Sequence, residues 1–496
     1  MKRILLNTCL ARLMCCAADI SLGKLEWSNV GHREEMENGR PVMVFDVAKT
    51  AKGQKDRAQA ALDVDKLRGR IVQFSIRARG ENVSQPLHKW NGVKFMVMCV
   101  SKEGGVSWPA AGFPRGTFDW MENSFFFEMS ENIAQAFLMI GLEESTGKVV
   151  FDLNSLKCNE MTFPDDDYQA TYSENVRNTP PLRGVMSPNP LNLNQYDLLT
   201  LKQWNVNLVR FQICRHWGQI GTDKDLKEYN QWFDQCLDNL AKLCPDAHRL
   251  GIRFVIDLHW PPGGRTDTNE FRMFYEKEYF DAFVNCWRKI ATRFKGNPAI
   301  WGYDLINEPI QNNWQSPRGY WEVQELTAKA VREIDPDTPI IIESNQSDSP
   351  YTFLYLPTLK MNNVIYQVHM YVPGQFTHQG VHDNPIGIKY PGKIGGKMYD
   401  KEELRKAFKH VLAFQKKHNC RIYVGEFSAA IWAPGAEKYL EDCISIFEEY
   451  GWDWTYHAFR EATVWSLEHE GTPKDRRLSL DNPRLQTLKK GWAHNK

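Results

Sequence analysis

The chain has no surplus charge of either sign: lysine plus arginine total 61 and aspartate plus glutamate total 61 over 496 residues. Such a balance sets up no field that draws nucleic acid or an anionic membrane toward the whole surface, and a neutral partner fits it better. Beyond its first residues the chain also lacks an apolar run long enough to cross a bilayer, so no membrane span is expected. Eleven cysteines are present, but their spacing matches no zinc-ligand pattern. Three of them, Cys9, Cys15 and Cys16, lie in the first residues; the others are Cys99, Cys158, Cys214, Cys236, Cys244, Cys286, Cys420 and Cys443. Several of these sit in apolar strand or helix contexts, where a free thiol behaves as a small hydrophobe. No disulfide framework is expected, with a Cys236–Cys244 pair left open.

What the chain does have is core. Hydrophobic residues make up 42% and aromatics 12%, enough for two domains, and the length exceeds one ordinary domain. The opening MKRILLNTCLARLMCCAAD has a basic start at Lys2 and Arg3, an apolar stretch interrupted by Arg12, and small residues at Ala17 and Ala18. This pattern resembles an export signal over residues 1–18, which makes a secreted or periplasmic protein the expectation. From residue 19 to 160 short runs alternate apolar and polar positions, as in IVQFSIRARG, VKFMVMCV, SFFFEM, AFLMIGL and KVVFDLNSL, which predicts an all-β sandwich. Residues 161–181, polar and closed by Pro180 and Pro181, read as a linker.

After Pro181 the rhythm becomes strand then helix. Eight strand candidates follow: LRGVMS, NLVRFQIC, RFVIDLHW, IWGYDLINEP, PIIIESNQ, VIYQVHMY, RIYVGEFS and WDWTYHAF. Amphipathic patterns such as FDAFVNCWRKIATRF and WEVQELTAKAVREI separate most of them. Residues 182–496 are therefore expected to form a (β/α)8 TIM barrel, an α/β fold whose site lies at the C-terminal ends of the strands. The fifth unit is the weakest, because a short and less helical stretch follows its strand. Chemistry-bearing residues gather where the barrel rule requires: Arg210 near the end of strand two, His259 at three, Asn307 and Glu308 at four, His369 and Tyr371 at six, and Glu426 at seven. Two glutamates at strand tips, far apart in sequence, are what acid/base and nucleophilic work on a glycosidic bond requires.

The ordered set RGV (Arg183, Gly184, Val185), VRFQI, DLHWPPGG, NEP, HMY and GEF resembles glycoside hydrolase family 5, the cellulase family of the glutamate-pair barrels, over residues 182 to about 470. The resemblance implies a retaining hydrolase with Glu308 as acid/base and Glu426 as nucleophile. It further implies that Asn307 hydrogen-bonds a sugar 2-hydroxyl, that His259 and His369 line the sugar site, and that Tyr371 donates to the nucleophile. A retaining pair must lie about 5 Å apart, and Glu308 must hold a proton, which an anionic Glu426 beside it favours. Arg210, a permanent cation, is suited to keep Glu426 ionised or, alternatively, to serve as a core ion pair. Cleavage by paired carboxylates needs neither metal nor cofactor, and none is expected.

One departure stands out. Where the family usually has a tryptophan late in strand eight as a platform beneath the sugar, WTYHAFRE has His457; Trp465 is the candidate replacement surface and Trp217 a further platform, while Trp454 is expected inside. Trp260 and Trp314 are as well explained by loop packing, as are most of the 17 tryptophans by core filling. The N-terminal domain resembles a carbohydrate-binding jelly roll, with Trp90 and Trp108 the candidate contacts and Trp120 in the core. A purely structural sandwich explains it as well. The expected partner is a β-glucan or related polysaccharide, cleaved by a monomeric enzyme, most simply an endo-β-1,4-glucanase. Mannanase, xyloglucanase and exo-β-1,3-glucanase stay open on the same residues, as does a non-catalytic sugar-binding barrel. Residues 261–270 and 373–399 are expected to shape the cleft.

Overall fold

Strict alternation builds the first domain. Val72, Phe74, Ile76 and Ala78 fall at every second position of the strand Ile71–Val83 and are all fully buried, while Ile71, Gln73, Arg77 and Arg79 between and beside them are partly exposed. This computed structural model describes residues 18–30, 32–88, 90–161, 166–217, 219–312, 316–381 and 384–495; the expected export signal, except Ala18, and Trp314 lie outside them. One antiparallel sheet runs, in order, Gly116–Glu128, Ile71–Val83, Gly147–Glu160, Arg40–Val47 and His32–Glu37, with Ala18–Asp19 paired to Gly147–Glu160. The facing sheet is built on Trp27–Val30, Lys55–Ala61, Ile133–Glu143, Gly92–Ser101 and Val106–Ser107. Phe95 of the second sheet meets Phe125 of the first edge-on at 5.0 Å, within the apolar layer that joins them. The domain is a β-sandwich. Trp120 is not in this layer, contrary to expectation. It lies over the outer face of the first sheet with Val42, Val44 and Val150, beneath the guanidinium groups of Arg77 and Arg79.

The second domain is a closed barrel of eight parallel strands: Arg183–Met186, Leu208–Gln212, Arg253–Asp257, Ile300–Asp304, Ile340–Glu343, Val364–Met370, Arg421–Phe427 and Asp453–Tyr456. Helices such as Leu226–Leu250 and Lys277–Phe294 lay their apolar faces on it. The fifth unit is the irregular one. After Glu343 comes a single turn, Asn345–Asp348, in which Gln346, Ser347 and Asp348 all have positive φ, followed by the 3-10 segment Pro350–Leu354 instead of a long helix.

The supposed linker is bound to the barrel. Tyr172 donates to the carbonyl of Val364, Ser173 N to Asn363, and Arg421 to the carbonyls of Val176 and Thr179. Val176 and Leu182 pack with Leu208, Val255, Trp301, Ile341, Ile365 and Tyr423, closing the N-terminal end of the barrel. The sandwich is tied on as well: Glu128 pairs with Lys409 and His410, Phe126 meets Tyr355 at 4.1 Å, and Arg115 N donates to Asp267. In the 373–399 stretch, Gly395 and Gly396 at the tip of a hairpin abut the Gly104–Gly105 turn of the sandwich. All eight cysteines of the described residues are buried and unpaired. Cys236 and Cys244 lie eight residues apart on one helix, about 12 Å by helical rise, and a disulfide cannot reach that far.

Gly184, in the first barrel strand, is required by close approach. A Cβ there would meet the carbonyl oxygen of Leu208 at 1.7 Å. Gly184→Ala is expected to destabilise the barrel by about 2 kcal/mol, read as a lower urea midpoint; an unchanged midpoint would refute the packing argument.

Candidate active site

Strand two carries Arg210 into the barrel, fully buried, and the guanidinium spends its donors on carboxylates and an amide. Nε donates to Asp304 at 2.8 Å, Nη1 to Glu426 Oε1 at 2.7 Å, and Nη2 to Asn307 Oδ1 at 3.0 Å and Glu343 Oε1 at 2.9 Å. Asp257 Oδ2 stands 3.2 Å from the same Nη2. Both readings of Arg210 therefore hold at once, since it grips Glu426 and pairs with core carboxylates. Burial works against its charge, but Asp257, Asp304, Glu426 and Glu343 outweigh that and raise its pKa.

Glu426 sits inside strand seven, nearly buried. Its second oxygen accepts from the Tyr371 hydroxyl at 2.9 Å. Burial pushes its carboxyl up, yet the positive charges of His369, His457 and Arg210 prevail and hold it well below the usual carboxylate range. Glu308 lies four residues past the end of strand four, on a residue with φ of +49°. That left-handed backbone is strained for glutamate and is clamped by its surroundings. Glu308 N donates to Glu343 Oε2 at 2.6 Å, and Arg265, from the 261–270 loop, donates to the carbonyls of Asn307 and Glu308 at 3.1 and 2.9 Å. Its side chain receives His369 Nδ1 at 3.0 Å. One oxygen of Glu308, one of Glu426 and a ring nitrogen of His369 all lie within 4.8 Å of one another.

The other expected residues divide. Asn307, with its oxygen taken by Arg210, donates through Nδ2 to His259 Nε2 at 3.2 Å, and His259 Nδ1 donates to Asp257 at 2.8 Å. His369 reaches both glutamates; burial opposes its charge, but Glu426, the bond to Glu308 and Asp348 push it up to about 9. His369 contributes a ring nitrogen to both groups of the described residues with metal-like spacing, one with Glu308 and Glu426 and one with Glu343 and Asp348. Trp217, on the loop after strand two, is 47% exposed and free to present a face. Trp465 is not: at 2% exposure it is covered by Tyr371, His378 and His457, with ring centroids 6.3, 4.9 and 5.8 Å away. It backs the site and offers no platform. Trp454 is fully buried, as expected, and Trp260 packs with its indole nitrogen toward Thr222.

Sequence reading missed Asp257, Asp304, Glu343, Asp348, Arg265 and Glu461. Glu343 had a legible signal, since it ends strand five as Glu426 nearly ends strand seven, but it stood in the unit with the faintest pattern.

A parallel barrel with two glutamates facing each other at the tips of opposite strands defines a glycoside hydrolase. A sequence model of the family described as Cellulase (glycosyl hydrolase family 5) matches residues 171–463, and the chain belongs to that family. Endoglucanase C of Acetivibrio thermocellus is 30% identical over 273 residues, 48% of this chain and 76% of that protein. Cellodextrinase A of Ruminococcus flavefaciens is 25% identical over 268 residues, 52% of this chain and 76% of that one. Among solved structures, Thermotoga maritima Cel5A in complex with cellobiose shares the barrel, with a TM-score of 0.51 and 22% identity over 63% of this chain and 99% of that one.

Asp348 generates a pH prediction. It is fully buried, Ser344 donates to its Oδ1 through both backbone and hydroxyl, and Oδ2 has no partner. Burial pushes its carboxyl up to about 8, so the folded state holds a proton that the unfolded chain, with an aspartate near about 3.9, releases earlier. Its contribution is full below about pH 4 and is lost as pH rises toward about 8. Asp348→Asn keeps the Ser344 bonds without titrating. Urea unfolding at pH 5 and pH 8 is expected to show a smaller loss of stability in Asp348→Asn than in the parent chain; equal losses would count against a buried neutral acid.

Proposed function

We propose that the chain is an endo-acting β-1,4-glucanase that cleaves by double displacement, with Glu426 as nucleophile and Glu308 as acid/base. The observation that carries this is that one carboxylate oxygen of Glu308 and one of Glu426 lie within 4.8 Å of each other, which supports the short separation of a retaining pair over the wider gap of an inverting one. Glu426 attacks the anomeric carbon while Glu308 gives its proton to the departing glycosidic oxygen. Once the glycosyl ester forms, the negative charge of Glu426 is gone, and Glu308 takes a proton from the incoming water.

The neighbours support each step. Arg210 and Tyr371 hold the two oxygens of Glu426 apart and oriented. His369 donates to Glu308 and thereby fixes the acid's direction. Asn307 has one amide hydrogen committed to His259, and the other is assigned to the sugar 2-hydroxyl, a bond that tightens as the oxocarbenium-like transition state develops. Trp217 supplies a stacking face away from the cleavage point. The glucan substrate and internal cleavage rest on the endoglucanase relative; the cellodextrinase relative favours a second reading, in which short β-1,4-glucans are preferred. Export is proposed from the basic, then apolar, opening of the chain.

Reducing-sugar release from cellulose, mixed-linkage glucan, xyloglucan and β-mannan, beside cellohexaose, separates these substrates. Glu426→Ala is expected to abolish turnover, and Glu308→Ala to slow polysaccharide hydrolysis by about 10²–10⁴-fold. Proton NMR of the first-formed product is expected to show the β-anomer; the α-anomer appearing first would overturn double displacement.

A further inference from the structure

His457 follows strand eight at the position where an indole was expected, and it is buried among groups that all need a proton settled. Its Nε2 lies 2.7 Å from Glu461 Oε2, and its Nδ1 lies 2.7 Å from the Tyr371 hydroxyl. That hydroxyl is in turn 2.9 Å from Glu426 Oε2. A tyrosine hydroxyl has one proton to donate. If His457 Nδ1 is bare, it competes with Glu426 for that proton. If Nδ1 carries a hydrogen, it donates to the tyrosine oxygen, and the hydroxyl proton is committed to Glu426. With Nε2–H given to Glu461, only the imidazolium satisfies the whole chain.

Resting on the reading of Glu426 as nucleophile, we propose that Glu461 and His457 are positioning residues that commit the Tyr371 proton to the nucleophile through an ordered chain, Glu461–His457–Tyr371–Glu426. The expected platform position is thus used for hydrogen bonding instead of stacking. Loss of the His457 proton turns Nδ1 into an acceptor, draws the tyrosine proton away, and leaves Glu426 with a donor fewer both when it attacks and when it leaves the glycosyl ester.

The surroundings favour the charged ring. Burial opposes the charge, but Glu461 first and Glu426 next raise the His457 pKa above that of a free imidazole. The groups that face it are Glu461 from its own loop, Glu426 from strand seven, Tyr371 from the end of strand six and, at longer range, Glu308. Trp465 packs beside the ring and His378 beside Tyr371, shielding the chain from water.

The test uses 2,4-dinitrophenyl β-cellobioside, whose leaving group departs without protonation, so the acid role of Glu308 is silent. The pH profile of kcat/KM is measured for the full chain and for Glu461→Gln, His457→Gln, His457→Leu and Glu426→Ala. Removing the anion beside His457 is expected to move the alkaline step of Glu461→Gln down by about one pH unit. His457→Gln, whose amide donates without titrating, is expected to keep the parent rate within about threefold and to lose that step, whereas His457→Leu falls about tenfold or more. A Glu461→Gln profile that superimposes on the parent profile overturns the proposal, and since that change is isosteric it decides the matter even if His457→Leu fails to fold. Undiminished turnover by Glu426→Ala would overturn the double-displacement reading as well; an inactive Glu426→Ala beside an unshifted Glu461→Gln overturns this inference alone.

Discussion

Arg210 is fully buried and reaches Asp257, Asp304, Glu343 and Glu426, and the rest of the site is arranged around that fact. Placing a guanidinium in a barrel core costs several kcal/mol of lost hydration, and the cost is offset because its planar fork meets an acceptor in nearly every direction. Each of these acceptors belongs to a different strand, three, four, five and seven, and with Arg210's own strand two they converge on one cation. Withdrawing any partner would leave charge without compensation in a low dielectric, so the five strand tips are held in register by the same group that keeps Glu426 ionised.

The two glutamates are supported differently. Glu426 is part of a strand and inherits the barrel's rigidity, and three cations bias it toward the anion. Glu308 is on a strained loop residue whose position comes from its neighbours, through Glu343 on its amide and Arg265 on its carbonyl. Glu343 joins both supports, since it binds Arg210 with one oxygen and the amide of Glu308 with the other. It couples Glu308 and Glu426 through the backbone of one and the guanidinium partner of the other. The sandwich reaches this cluster at one remove, since its Arg115 backbone amide holds Asp267 of the same loop that carries Arg265.

Much of this was legible from residue order. Eight apolar runs at barrel spacing, with His259, Asn307, Glu308, His369, Tyr371 and Glu426 at their ends, specify both the fold and the place of the site, because a parallel barrel exposes functional groups at one rim. Less legible were features that depend on contact across the barrel. Glu343 resembled any strand-end acid until its neighbours were known. The stretch 161–181 looked like a linker because it is polar, yet Tyr172 and Val176 anchor it, and anchoring depends on a few side chains more than on average composition. Trp465 looked available because it follows strand eight closely where His457 takes the expected platform position, but Tyr371, His378 and His457 cover it.

The amino-acid order by itself determined the sandwich, the barrel, the family and the identity of the paired glutamates, since periodicity and strand-end placement are local properties that survive without coordinates. Tertiary structure alone decided the approach of the carboxylates, the gathering of acids on Arg210 and the two contacts of the Tyr371 hydroxyl. Those are distances between segments far apart in sequence, and hydrogen bonds and charge pairs change over fractions of an ångström that no pattern along the chain encodes.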